Sequence, residues 1–358
     1  MHCPFATASA MAVRSSIASE GNRRGRGHTC ILAQINAPLP SENSSDASAE
    51  RRKFSESIPG CCRIPTSMNN GLTIDSGMQL NGSRAKWREA VARHQLVTFF
   101  VLAFVLSWYP WVIALAQGRS SGPNPLGPLL AALIVAGIAE GWPGVRELIS
   151  RIVRVRFGLK WYAVVFGLPA LLLAASVGIL AAFGKVSALP GAANWREVPD
   201  RFLFILLFIG LGEEPGWRGF ALPRLQKQWT PLGASLVLAP IWALWHLPLF
   251  GTEFPLPIIP AFLFSLFGAT LFQTWLFNRT NGSVFAQMLF HATVNTVGAG
   301  LIFPLLKGPG FVLFWYVYSL LWLAVGIWVT AAGARSTARQ SADLHGARSQ
   351  AGSYLSRP

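Results

Sequence analysis

Residues 96–116 read LVTFFVLAFVLSWYPWVIALA, an apolar run without a charged side chain. A helix that crosses the ~30 Å hydrocarbon core of a bilayer needs about 20 residues of this kind, so the run is read as a membrane span. Moving outward, comparable runs recur at 126–139, 161–183, 202–219, 232–250, 258–277, 283–303 and 311–332. The expected fold is therefore all-α, a polytopic membrane bundle of about eight transmembrane helices, with a disordered N-terminal extension ahead of it.

Composition agrees. Hydrophobic residues make up 52% of the chain and charged residues 13%, against about a quarter charged in a soluble domain. The net charge of +15 does not indicate nucleic-acid binding, because the basic residues stand beside the apolar runs and form no continuous basic domain. Arg84, Lys86, Arg88 and Arg93 precede the first run. Arg146, Arg151, Arg154, Arg156 and Lys160 separate the second from the third. Arg224 and Lys227 follow the fourth, Arg279 the sixth, and Arg335, Arg339 and Arg348 the eighth. With eight spans these groups all fall on one side, as the excess of Lys and Arg in cytoplasmic loops requires, and both termini are then cytoplasmic. Within the second connection, residues 145–157 alternate basic and apolar positions at helical spacing, the pattern of a helix lying on the membrane surface.

Residues 1–90 are polar and carry turn formers without periodicity, so they are read as a disordered extension. They are either a targeting segment or a start placed upstream of the true one at Met68 or Met78. Cys3, Cys30, Cys61 and Cys62 all lie there and do not match metal-ligand spacing. The chain thus divides into an extension (1–90), a membrane domain (91–333) and a polar cytoplasmic tail (334–358).

Against this apolar background a few residues stand out. From residue 201 onward the acidic residues are Glu213, Glu214, Glu253 and Asp343. The first two fall in Leu211-Gly-Glu-Glu-Pro-Gly-Trp-Arg218, inside a span, where each acidic group costs roughly 2.5–3.5 kcal/mol at the membrane centre. Arg218 is placed to pair with Glu214 at i,i+4, which leaves Glu213 to be explained. Pro215 cannot donate to Leu211 and disfavours helical geometry at Glu214, so a kink is expected there. Two of the six histidines lie in spans: His246 in Trp242-Ala-Leu-Trp-His-Leu-Pro248, and His291 in Phe290-His-Ala-Thr-Val-Asn295. His291 shares a helical face with Asn295, and Gln287 lies one turn before it. At 1.5 Å per residue, Glu213 and His291 come about 12 Å, and His246 about 20 Å, from the cytoplasmic side. Tilt and kinks absorb that spread, and the three can converge.

A buried glutamate can take a proton from water, a histidine can share that role or hold a metal, and a His/Asn pair can donate to an oxyanion. Such a set fits hydrolysis of a carbonyl compound such as a peptide bond. Glu213, His246 and His291 could alternatively hold zinc with an open position, and metal-bound and metal-free water both remain open. Intramembrane Glu and His also build proton relays, but the halves of the chain show no internal repeat of the kind transporters carry.

Three motifs, Glu213-Glu214-x-x-x-Arg218, Trp242-x-x-x-His246 and His291-x-x-x-Asn295, resemble those of the CPBP intramembrane protease family. That family includes CAAX prenyl endopeptidases and bacteriocin-processing or immunity proteins. The family pattern has Phe where this chain has Trp242, a change expected to affect packing more than chemistry. The resemblance covers residues 90–333 and implies an eight-helix membrane enzyme. In it Glu213, helped by His246, activates water, His291 and Asn295 stabilise the oxyanion, and Glu214 with Arg218 orders the site. It further implies a membrane-associated peptide or protein substrate, the bilayer as the surrounding partner, and residence in a bacterial plasma membrane. The other outcome within the family is a silent scaffold or immunity protein that keeps the fold without catalysis.

Overall fold

The computed structural model describes residues 86–186 and 195–355, with side chains as far as residue 335. Most of the expected extension, residues 1–85, lies outside the described residues, as do the connection 187–194 and the last three positions. Among the described residues no strand forms; a lone bridge joins Phe250 and Phe254. After a helical lead-in at residues 86–93, the helices are α1 (Gln95–Ala116), α2 (Gly127–Ile152), α3 (Leu159–Ala182), α4 (a continuous run from Val198–Phe204 to Leu222–Leu225), α5 (Pro231–Trp245), α6 (Ile259–Arg279), α7 (Val284–Val297) and α8 (Pro309–Leu355). Their order matches the eight apolar runs.

Six of them are long and apolar enough to cross a membrane: α1, α2, α3, α6 with its lead-in from Leu256, α7 continued to Leu305, and α8 as far as Arg335. The expected count of eight is not reached on that measure. α5 has 15 residues, a rise of about 22 Å, and α4 carries the charged motif. The outer faces identify the solvent. Val97, Val101 and Val105 on α1 are 62%, 57% and 58% exposed, an apolar stripe one helical turn apart that water would penalise and lipid does not.

α4 runs through the middle of the bundle, against α1, α2 and α7. Its backbone is not uniformly α-helical. Ile205–Gly210 and Pro215–Ala221 are π-helical turns on either side of the α-helical Leu211–Glu214. The kink expected at Pro215 is therefore replaced by a widened turn. Glu214 keeps helical dihedrals (φ −63°, ψ −35°), and the longer hydrogen-bond spacing accommodates the proline nitrogen that cannot donate.

Close packing on this segment depends on small residues. A side chain on Gly212 would strike the carbonyl of Pro125, and one on Gly216 would strike Pro128, at the start of α2. Phe99 of α1 closes the other side, 5.6 Å from the ring of Trp217 and 5.0 Å from that of Phe220. Overpacking such a contact typically costs about 1–3 kcal/mol. Gly216→Ala should therefore lower the thermal midpoint in detergent, whereas Gly178→Ala, with nothing within 4 Å, should not.

α2 is split at Gly141, whose φ of 67° and ψ of −155° interrupt the helix. The apolar run expected to end at residue 139 ends there. The surface helix expected over 145–157 follows, but stops at Ile152. Beyond it the chain is latched to the α6–α7 turn: Ser283 Oγ donates to the Arg154 carbonyl at 2.6 Å, and the Arg154 guanidinium donates to the carbonyl of Asn281. At the same end of the bundle Arg224 donates to Glu140 Oε1 at 2.6 Å and to Gln95 Oε1 at 2.7 Å. One cation thereby joins α1, α2 and α4.

The two helices that bring the histidines start at capped termini. Thr230 Oγ1 accepts from the Gly233 amide at 3.2 Å, and Ser283 Oγ accepts from the Ala286 amide at 3.1 Å, each satisfying a first-turn N–H that has no intrahelical partner. α8 packs along α6, where Trp322 lies 5.7 Å from the Phe272 ring and 5.5 Å from the Phe290 ring. This aromatic wedge holds α6 and α7 together behind the site.

Candidate active site

Glu213 and Glu214 project from the α-helical turn between the two π-helical turns, so successive side chains leave α4 in different directions. Glu214 points to Arg218 one turn on: Arg218 Nη1 donates to both of its oxygens at 3.2 Å. This is the i,i+4 pair expected from the spacing. Glu214 Oε1 also lies 2.8 Å from His291 Nδ1, carried in by α7. Glu213 points elsewhere, and its Oε2 accepts from Trp242 Nε1 at 3.1 Å.

Arg218 has two further partners, Trp242 from the second motif and Gln273, which no motif marks. Its Nη2 donates to Gln273 Oε1 of α6, and its guanidinium stacks on the Trp242 ring, 3.9 Å from the centroid. A wholly buried cation needs this many contacts, because burial of a charge is tolerated only when it is paired and hydrogen-bonded.

His246 sits at the C-terminal end of α5, where helix carbonyls lack intrahelical donors. Its Nδ1 lies 2.8 Å from the Trp242 carbonyl. A carbonyl only accepts, so Nδ1 carries the proton and Nε2 of the neutral ring is left as an acceptor. The Trp242 ring neighbours both imidazoles, 5.5 Å from His246 and 6.3 Å from His291. The depths inferred from residue counts thus close in space.

Glu213, Glu214, Arg218 and His291 are buried, whereas His246 and Asn295 are half-buried. The least buried side of the cluster is therefore that of His246 and Asn295. Asn295 shares its helix face with His291 but makes no side-chain hydrogen bond to the cluster among the described residues. Gln287, one turn before His291, is buried with neither amide atom partnered among the described residues. Among the described residues no three His, Cys, Asp or Glu side chains are gathered as a metal-ligand group, so the set Glu213, His246 and His291 does not form a three-ligand cage in this arrangement.

Two participants escaped the sequence reading. Gln273 is an amide within the apolar stretch of α6, with Asn278 at the helix end, a signal that attention to ionisable residues alone passes over. Trp242 was expected to change packing more than chemistry. The structure corrects this, since its N–H is bonded to a site carboxylate and its ring face carries Arg218.

Residues 195–297 match the family model described as Type II CAAX prenyl endopeptidase Rce1-like. That stretch contains every candidate side chain named above. This match supports the resemblance of the three motifs to the CPBP family. A CAAX prenyl protease 2 of Methanococcus maripaludis is 27% identical over 165 residues, which is 42% of this chain and 61% of that relative. The matched stretch thus spans α4 to α7, the helices that supply the whole site, while α1 and α2 pack against α4.

Proposed function

We propose that this protein is an intramembrane endopeptidase that hydrolyses a peptide bond in a membrane-associated protein or peptide. The observation that carries the reading is the division of labour between adjacent carboxylates. Glu214 is neutralised by Arg218 and bonded to His291, whereas Glu213 has one neutral donor and stays free to accept a proton. In the derived sequence Glu213, with His246 Nε2 as a second acceptor, takes a proton from a water whose oxygen bonds to the scissile carbonyl carbon. The carbonyl π electrons move to oxygen. His291 stabilises this oxyanion through Nε2–H, which requires a doubly protonated ring because Nδ1 donates to Glu214; with Glu214 already paired to Arg218, that charge is balanced by the Glu213 carboxylate before attack and by the oxyanion after it. Asn295, at the least buried side, supplies a second donor. As the tetrahedral species collapses, the C–N bond breaks and the proton held by Glu213 passes to the leaving amine.

The names of the matching family and of the relative make prenylated CAAX peptides the first substrate class to test. Detergent-purified protein should cleave quenched peptides of that class, and cleavage should survive prolonged chelation, since each derived step runs through side chains. Loss on chelation with recovery on adding zinc would assign the water to a metal instead. Failure to cleave prenylated and unprenylated sets alike would remove the endopeptidase reading. The expected location is the plasma membrane with both termini cytoplasmic, which cysteine labelling at each end in intact and opened cells would test.

A further inference from the structure

Trp242 touches each polar arm of the site at once. Its Nε1 donates to Glu213 Oε2 at 3.1 Å, its ring face carries the Arg218 guanidinium at 3.9 Å, and its carbonyl bonds His246 Nδ1 at 2.8 Å. The residue is buried, so water does not compete for these contacts. Among the described residues the indole N–H makes the hydrogen bond that holds the Glu213 side chain.

The terminal torsion of a glutamate is broad, and without an anchor its two oxygens exchange roles. One bonded oxygen fixes the plane of the carboxylate and therefore the direction of the other. Phenylalanine offers a similar face to Arg218 and the same backbone carbonyl to His246, but no donor. The N–H is thus the contribution specific to tryptophan at this position.

We propose that Trp242 is a positioning residue whose indole N–H anchors Glu213 Oε2 and presents Oε1 to the attacking water, while its ring face keeps Arg218 on the Glu214 side. The kinetic consequences rest on the endopeptidase reading; the contact itself does not.

The experiment uses full-length protein in detergent with two replacements at position 242. One is Trp242→Phe. The other is 3-benzothienylalanine, which keeps the bicyclic shape and exchanges the N–H for sulfur. Both should lower kcat by about tenfold, the scale of a buried hydrogen bond left unmade, with KM unchanged. Parental kcat in the benzothienylalanine protein would overturn the proposal, as would a loss confined to KM, which indicates a role in shaping the substrate pocket.

A second measurement does not depend on cleavage. Thermal midpoints of Trp242→Phe, Glu213→Leu and the double variant should be non-additive, the double shift being smaller than the sum, because both single changes remove the same bond. Additive shifts would overturn the anchoring role. If the parent cleaves no peptide, the endopeptidase reading fails and this cycle still decides whether Trp242 holds Glu213.

Discussion

Glu213→Gln is expected to lower peptide cleavage by about 10²–10⁴-fold, the contribution of a general base, while leaving the protein folded. The two expectations follow from the same geometry. Gln retains an oxygen where Glu213 Oε2 accepts from Trp242 at 3.1 Å, so the local bond survives and a buried carboxylate is removed. What is lost is the ability to take a proton. The measurement pairs the cleavage rate with the thermal midpoint in detergent. A folded variant with parental activity would transfer the base role away from Glu213. A folded, inactive variant that still rescues a cellular phenotype would favour the silent scaffold over the enzyme.

Arg218→Met should be the most damaging substitution for the fold. Arg218 is wholly buried and bonded to Glu214, Gln273 and the face of Trp242. Removing one member of a buried pair leaves an uncompensated charge and costs about 3–5 kcal/mol. The diagnostic is partial rescue. Adding Glu214→Gln removes the orphaned carboxylate, so the double variant should recover much of the lost stability, even though it carries two changes instead of one. Denaturation in detergent measures both. If the double variant is no more stable than the single one, the loss comes from the missing packing of the guanidinium on Trp242, not from the unpaired carboxylate.

Much of this was legible because lipid makes charge conspicuous. In the apolar run 202–219 of α4 the charged residues are the acidic pair and Arg218, and the i,i+4 spacing of Glu214 and Arg218 specified their contact. The histidines were marked in the same way. What escaped was whatever does not titrate. Gln273 carries no charge, so its selection as the second partner of Arg218 depends on which face of α6 meets α4. The polar role of Trp242 was hidden because an indole reads first as apolar bulk. The widened turns of α4 also follow from tertiary crowding: Pro215 announces a missing donor, but whether the helix bends or widens depends on the neighbours pressed against Gly212 and Gly216. The shortness of α5 was equally hidden, since its apolar run continues through Leu247–Leu249 after the helix has ended at His246.

The interior pairing of α4 also bears on how the chain is made. Three ionisable side chains within the run 202–219, each penalised by roughly 2.5–3.5 kcal/mol on insertion scales, make α4 a poor candidate to leave the translocon alone for lipid. The groups that compensate them, Trp242, Gln273 and His291, belong to segments synthesised later. The polar partners of α4 are thus complete only after α5, α6 and α7 have been made, so α4 depends on them for its place in the bilayer and is not an independent span.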